Sequence, residues 1–279
     1  MRTLVIVAHP DDIEFGVAGS VARWTLEGAD VAYCIVTDGS AGSNDPNIDK
    51  ETLIRTRQAE QLAAAAVVGV EDVHFLNYPD GMLQPTLELR RDLTRLIRRL
   101  KPERVITMDP TVWFVDNPGY INHPDHRACA EAAIYATFPS AETRPIFPEL
   151  LAEGLEPHKV AELWLMFSEK PNTHVDITAV IDRKIDSLSR HVSQVGGRDL
   201  SFVRGWDAEA GKAGGYEYAE SYRVLRLTPP ESDGTQAQDS ASAQKDAAQK
   251  DAAQKDTAQK DAAQKDAAQK DAAQKDAAQ

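Results

Sequence analysis

Two rhythms of apolar and polar positions alternate along this chain. Residues 3–8, TLVIVA, form an unbroken apolar run of the kind shown by a strand buried on both faces. Residues 31–37 repeat the pattern, and shorter runs at 73–76, 104–108 and 160–167 predict three further strands. Between them apolar residues recur at helical spacing over 17–27, 51–68, 87–100, 124–136 and 178–192. Gly28 and Gly69 stand where the first two helices end, and Pro102 lies just beyond the third. Strand and helix in turn predict an α/β protein with a largely parallel sheet and right-handed crossovers. In such sheets sites lie beyond the carboxyl ends of strands, which directs attention to the loops beginning at His9, Asp38, Asn77 and Asp109.

The globular rhythm stops at Pro229 and Pro230. A polar linker follows, then seven copies of Gln-Lys-Asp-Ala-Ala from Gln244, one of them carrying Thr257, closing with Gln279. Five residues advance a helix by about 140° beyond a full turn, so the Ala pairs spiral round the axis and bury no stripe. Each Asp precedes a Lys by four, as Asp246 precedes Lys250, an order that supports a solvated helix. Two regions are therefore expected: 1–230 carrying the chemistry, and 231–279 as a low-complexity tail, either solvated helix or disordered chain.

Charge narrows the partners. The formal net charge is −13; from Glu231 onward ten acids face seven Lys, leaving −10 on the body. An acidic body offers no footprint for nucleic acid, and no predicted helix carries the basic face of a membrane-surface helix. No stretch approaches a membrane span. Cys34 and Cys129 sit in apolar periodic stretches, which reads as small buried residues in a reducing compartment. The opening MRTLVIVAHP has too short an apolar run for a signal peptide, so a cytoplasmic protein is expected. A homo-oligomer is left open.

The first loop reads His9-Pro10-Asp11-Asp12-Ile13-Glu14, a His and two carboxylates emerging from a buried strand. Neutral imidazole with carboxylate suits zinc or another first-row divalent ion. The bland alternative is that Asp11 or Asp12 caps the next helix. A second cluster, His123-Pro124-Asp125-His126, follows the fourth strand, with Pro124 set for the first helical position. A catalytic zinc site needs three protein ligands and one open position. His9, Asp12 and His126 supply two imidazoles and a carboxylate, which leaves Asp11 and His123. Those two match the remaining needs of amide hydrolysis: a base for the attacking water, and a donor to the leaving amine or the oxyanion. Asp125 is placed to orient His123.

In these residues the chain resembles the PIG-L/LmbE-like zinc deacetylases, which remove acetyl groups from N-acetylglucosamine-type sugars. The likeness covers roughly 1–227 and rests on the two His-Pro-Asp stretches. Thr37-Asp38-Gly39, Arg57-Gln-Ala-Glu60, Tyr78-Pro-Asp80-Gly81 and His191-x-x-Gln194 add weaker pieces. The resemblance implies a Rossmann-like α/β domain with a smaller C-terminal α/β region. It also implies His9, Asp12 and His126 as ligands for Zn2+, with Fe2+ as the alternative, Asp11 as base and His123 as acid or oxyanion partner. The implied substrate is a small N-acetylated amino-sugar. One departure stands out: some members carry a mobile Tyr two residues before the second cluster, where this chain has Ile121, with Tyr120 out of step.

Lesser candidates are weighed on both sides. Arg57 and Glu60 form either a surface ion pair or, through Arg57, a substrate contact. Asp38 either binds sugar hydroxyls or shapes its turn. Asp109 reads as a loop brace and His74 as a satisfied core residue, while His158 and His174 have no partner pattern. The 40–47 and 111–122 loops are long enough to line a substrate. The nearest rival function is an amidase for a thiol conjugate or another small amide. Two His and a carboxylate also make the facial triad of Fe(II) oxygenases, but Asp11 and His123 have no task there. A non-catalytic nucleotide-binding domain is disfavoured, since the first loop lacks G-x-G-x-x-G.

Overall fold

In the computed structural model the described residues are 1–115 and 119–228. The repeat tail at 231–279, and 116–118 of the long 111–122 loop, lie outside them. The strands are β1 (Arg2–Val7), β2 (Asp30–Thr37), β3 (Asp72–Tyr78), β4 (Arg104–Met108), β5 (Phe114–Val115), β6 (Tyr120–Ile121), β7 (Glu162–Met166), β8 (Thr173–Asp176) and β9 (Ala219–Arg226). The helices are α1 (Asp12–Gly16), α2 (Ala18–Leu26), α3 (Lys50–Val67), α4 (Leu87–Leu100), α5 (Pro124–Tyr135), α6 (Glu149–Ala152), α7 (Ile181–Ser189), α8 (Val192–Val195) and α9 (Ser201–Gly214). No described helix is long and apolar enough to cross a membrane.

Seven strands form one sheet in the order β3-β2-β1-β4-β7-β9-β8, while β5 and β6 make a separate small hairpin. Pairing is parallel from β3 through to β7 and antiparallel where β9 joins β7 and β8. The chain runs outward from β1 to β2 and β3 on one side, then crosses to β4 on the other. The order therefore reverses between β1 and β4, and there the connections leave in opposite directions and open a crevice at the carboxyl ends. His9 follows β1, and the second His-Pro-Asp stretch follows β4, so the topology alone brings the two motifs to one crevice.

Both sheet faces are covered, as the continuous apolar runs require. Val5 and Val7 of β1 pack with Tyr33 and Ile35 of β2 against Val21 of α2 and Ile181 of α7. Leu4 and Ile6 face the opposite way, with Cys34, into Leu89, Leu93 and Ile97 of α4 and Cys129 of α5. Both cysteines are free and buried. Leu4 and Leu93 are fully buried, and truncating either to Ala would cost about 2–5 kcal/mol.

Most of the predicted elements are present, with shifted ends. The first helix starts earlier than expected, as α1, and breaks at Val17, whose φ of −146° interrupts it before α2. The smaller C-terminal α/β region joins the main sheet: β9 enters beside β7, and β8 forms its edge. Glu220 of β9 then accepts from the backbone N–H groups of Gly19 (3.0 Å) and Ser20 (2.7 Å), capping the start of α2.

Candidate active site

The β1 strand ends in a turn that reverses within four residues. The His9 N–H donates to Asp12 Oδ2 at 2.7 Å, which ties the turn across its mouth. Asp11, between them, has φ of 98°, a left-handed conformation that a side-chain-bearing residue holds only when its surroundings impose it. Asp12 opens α1, so one of its oxygens is committed to the turn while the other faces the crevice.

Across the crevice, α5 begins at Pro124, and His123 is its N-terminal cap. The Asp125 N–H donates to His123 Nδ1 at 3.2 Å, so the proton of the neutral ring resides on Nε2. One turn on, His126 Nδ1 lies 3.1 Å from Asn122 Oδ1, which leaves its Nε2 facing Asp12 Oδ1 at 3.1 Å. His9 Nδ1 lies 3.4 Å from Asp12 Oδ2. Asp12 is thus flanked by two imidazoles. On its other side His9 Nε2 meets Asp80 Oδ1 at 3.1 Å and Asp125 Oδ2 at 3.4 Å, and both acids fix the ring's orientation.

These residues fit a divalent ion. Ring nitrogens of His9, His123 and His126 lie within 4.8 Å of one another, and two imidazoles converge on one buried carboxylate. A second group of similar compactness, His9 with Asp80 and Asp125, is accounted for by the hydrogen bonds that orient His9.

Burial opposes charging the His9 ring, but Asp12 and the hydrogen bonds to Asp12, Asp125 and Asp80 outweigh it and push its pKa up to about 12. A metal ion and that proton compete for the same nitrogen. Burial would also raise Asp12, yet His126 and His9 hold it well below the usual carboxylate range. Asp11 goes the other way: burial and the charge of Asp12 push it up to about 7, against Arg57, His191 and His9. Burial, with the nearby His9 and His126, pushes His123 down and so favours its neutral form.

All six residues of the two motifs expected to act at the site, His9, Asp11, Asp12, His123, Asp125 and His126, meet in this crevice. Two expectations are corrected in detail, and a third is decided between its alternatives. The Asp125 carboxylate does not orient His123, which it approaches only to 4.0 Å. It accepts instead from the N–H groups of Gly81 (2.7 Å) and Leu83 (3.1 Å) and faces His9. Arg57 is neither a surface ion pair nor turned to a substrate: it is 3% exposed and donates to Pro10 O (2.8 Å) and Gly39 O (2.9 Å). Its former partner Glu60 accepts from Ser193 instead. Asp38 is buried and shapes its turn, accepting from Ser40 N at 3.0 Å and Asp80 N at 3.3 Å.

Other residues stand as read, or were missed. Asp109 braces its loop by accepting from Thr111 and Ser168. His74 is a correction: expected as a satisfied core residue, it is part-exposed and sits 2.9 Å from Asp72, off the core. Tyr120 and Ile121 lie exposed on β6. Asn122, Gln61 and Glu14 had no assigned part, and Asp80 was noted only within a motif. An Asn four residues before a His, across a helix start, was the one signal that could have found Asn122.

Comparisons with known proteins find a family and several relatives. A family described as PIG-L, GlcNAc-PI de-N-acetylase, matches residues 4–137. Diacetylchitobiose deacetylase of Thermococcus kodakarensis is 32% identical over 80% of this chain and 83% of its own. A probable N-acetyl-alpha-D-glucosaminyl L-malate deacetylase 2 of Bacillus subtilis is 30% identical over 70% and 84%. The structure of N,N'-diacetylchitobiose deacetylase from Pyrococcus horikoshii, with an inhibitor bound, superposes with a TM-score of 0.75. It is 29% identical, over 82% of this chain and 87% of that one.

Proposed function

The chain belongs to the PIG-L family of de-N-acetylases, and on that footing we propose that its crevice hydrolyses the N-acetyl amide of a small N-acetylglucosamine-type substrate. It is a metal-dependent hydrolase. The observation that carries the residue roles is the split between adjacent acids: Asp12 is held ionised between two imidazoles, while the Asp11 carboxylate, with Arg57 at 3.5 Å, is pushed up to about 7.

His9 through Nδ1, His126 through Nε2 and Asp12 would hold the ion, zinc by preference and iron(II) as the alternative. Such an ion supplies Lewis acidity towards a water and the amide carbonyl. Asp11 takes the proton from the attacking water as the carbon–oxygen bond forms. It returns that proton to the nitrogen as the carbon–nitrogen bond breaks, releasing acetate and a free amine. His123, neutral with its proton on Nε2, donates a hydrogen bond to the carbonyl oxygen while that oxygen carries charge. Of the two tasks expected for His123, oxyanion support suits its lowered pKa better than acid catalysis. With Ile121 where some members have a mobile Tyr, this support rests on His123 among the described residues.

The relatives named above act on N-acetylglucosamine units carrying different second groups, so the shared feature is the 2-acetamido sugar. The test is release of free amine by metal-loaded protein from N,N'-diacetylchitobiose, a GlcNAc-malate and a GlcNAc-inositol, beside a thiol-conjugate amide. Turnover of at least one acetamido sugar is expected. Turnover of the thiol conjugate alone would move the protein to the amidase reading.

A further inference from the structure

We propose that Gln61 is a positioning residue for the base, clamping the peptide that sets the Asp11 conformation and kept the right way round by Glu14 and His191. The inference rests on the reading of Asp11 as base. Arg57 and Gln61 are one helical turn apart on α3 and point the same way. Arg57 donates to Pro10 O at 2.8 Å, and the Asp11 N–H donates to Gln61 Oε1 at 3.0 Å. Those two atoms are the halves of a single peptide group. Holding both fixes the plane of that peptide, and with it the φ of 98° that directs the Asp11 side chain into the crevice.

An amide can bind either way round, so its direction must be specified. Gln61 Nε2 donates to Glu14 Oε1 at 3.0 Å, and Glu14 Oε2 lies 3.0 Å from His191 Nε2. Gln61, Glu14 and His191 are all fully buried, so water does not compete for these bonds. A carboxylate at Glu14 accepts only, which obliges Gln61 to present its nitrogen there and its oxygen to Asp11. The chain thus extends from the α8 turn to the base without contributing a group to the reaction.

The experiment is a double-mutant cycle on the metal-loaded enzyme. Gln61→Met fills the same space with neither hydrogen bond. It should keep metal content and KM within about twofold while kcat falls roughly 10- to 100-fold, as misplacement of a reacting group does. In an Asp11→Asn background the same change should cost almost nothing more, because Gln61 acts only through Asp11. Where Gln61→Met does not fold, Gln61→Asn, too short to bridge both partners, carries the same expectation. Near-normal kcat in a folded, metal-loaded Gln61 variant overturns the proposal while leaving the base reading intact. So does a loss of equal size in both backgrounds. Normal turnover in Asp11→Asn alone would instead remove the base reading, and the positioning role with it.

Discussion

Two buried charge clusters flank α2 and α1, and they are built on opposite principles. Behind α2, Lys184 Nζ lies 2.9 Å from Asp207 Oδ1 and 2.8 Å from Glu220 Oε1. Glu220 also accepts from Gly19, Ser20 and the Tyr222 hydroxyl. Nearly every polar atom there is answered by another, Asp207 Oδ2 being the exception. In the crevice two groups behave in the opposite way: Asp11 is answered at its backbone, yet among the described residues its carboxylate has only Arg57, at 3.5 Å, and stays 16% exposed. His123 is tied at Nδ1 and open at Nε2, with its side chain 38% exposed. A cluster that satisfies itself holds a fold together. One that leaves particular atoms unanswered is prepared for something from outside.

That contrast can be broken. Asp12→Ala, His9→Ala or His126→Ala should abolish bound metal and reduce amine release to background; stoichiometric metal in all three purified variants would place the ion elsewhere. Asp11→Asn should retain metal while kcat falls ~10²–10⁴-fold, the range for loss of a general base. Asp11 must be ionised to accept a proton, so kcat/KM should decline as pH falls. A doubly charged ion beside Asp12 lowers the Asp11 pKa, which puts that acidic limb below the value of about 7 the protein alone imposes. The limb should vanish in Asp11→Asn. If it persists unchanged, another group titrates there.

Behind α2 the expected loss is of stability. Lys184→Met leaves two carboxylates buried without their cation and should cost about 3–5 kcal/mol in denaturant unfolding, with kcat per metal-loaded molecule within twofold. An equal fall in kcat would mean that the two clusters are coupled. The smallest effect is expected from truncation after Thr228: the repeat has no face to bury, so activity and Tm should stay as they are. A lower Tm would show that the tail docks on the body.

Legibility in the sequence followed locality. The 3–8 run was readable because burial on both faces leaves no polar position to confuse the period. The 87–100 helix was read to the residue from its spacing and from Pro102 beyond its end, and the structure adds the Thr86 side chain as the cap of its start. β9 was invisible, since two of its inward positions are Glu220 and Tyr222, and a buried Glu looks like a surface one until its partners are known. The residues proposed for metal and base stood out because they sit in two four-residue clusters, His9–Asp12 and His123–His126. Asp80, Gln61 and Glu14 were not: each works through a partner at least 40 residues away, and a lone amide or acid has no spacing that announces it. Arg57 misled for the same reason, its partners being backbone carbonyls that carry no sequence signal.

The position of β9 has a consequence for how the molecule is made. Glu220 bonds to residues 201 and 200 positions earlier, and its strand fills the gap between β7 and β8. At usual translation speeds the start of α2 waits roughly 10–40 s on the ribosome before its cap exists. Over roughly the last 3–12 s of that interval β7 has been made but its outer edge has no partner, and the nascent chain carries an open row of backbone donors and acceptors. Folding from the amino terminus onward can assemble β1 to β4 and gather both halves of the crevice, but the sheet closes only when residues 219–226 emerge. Nascent chains halted before that point should be the species that chaperones hold.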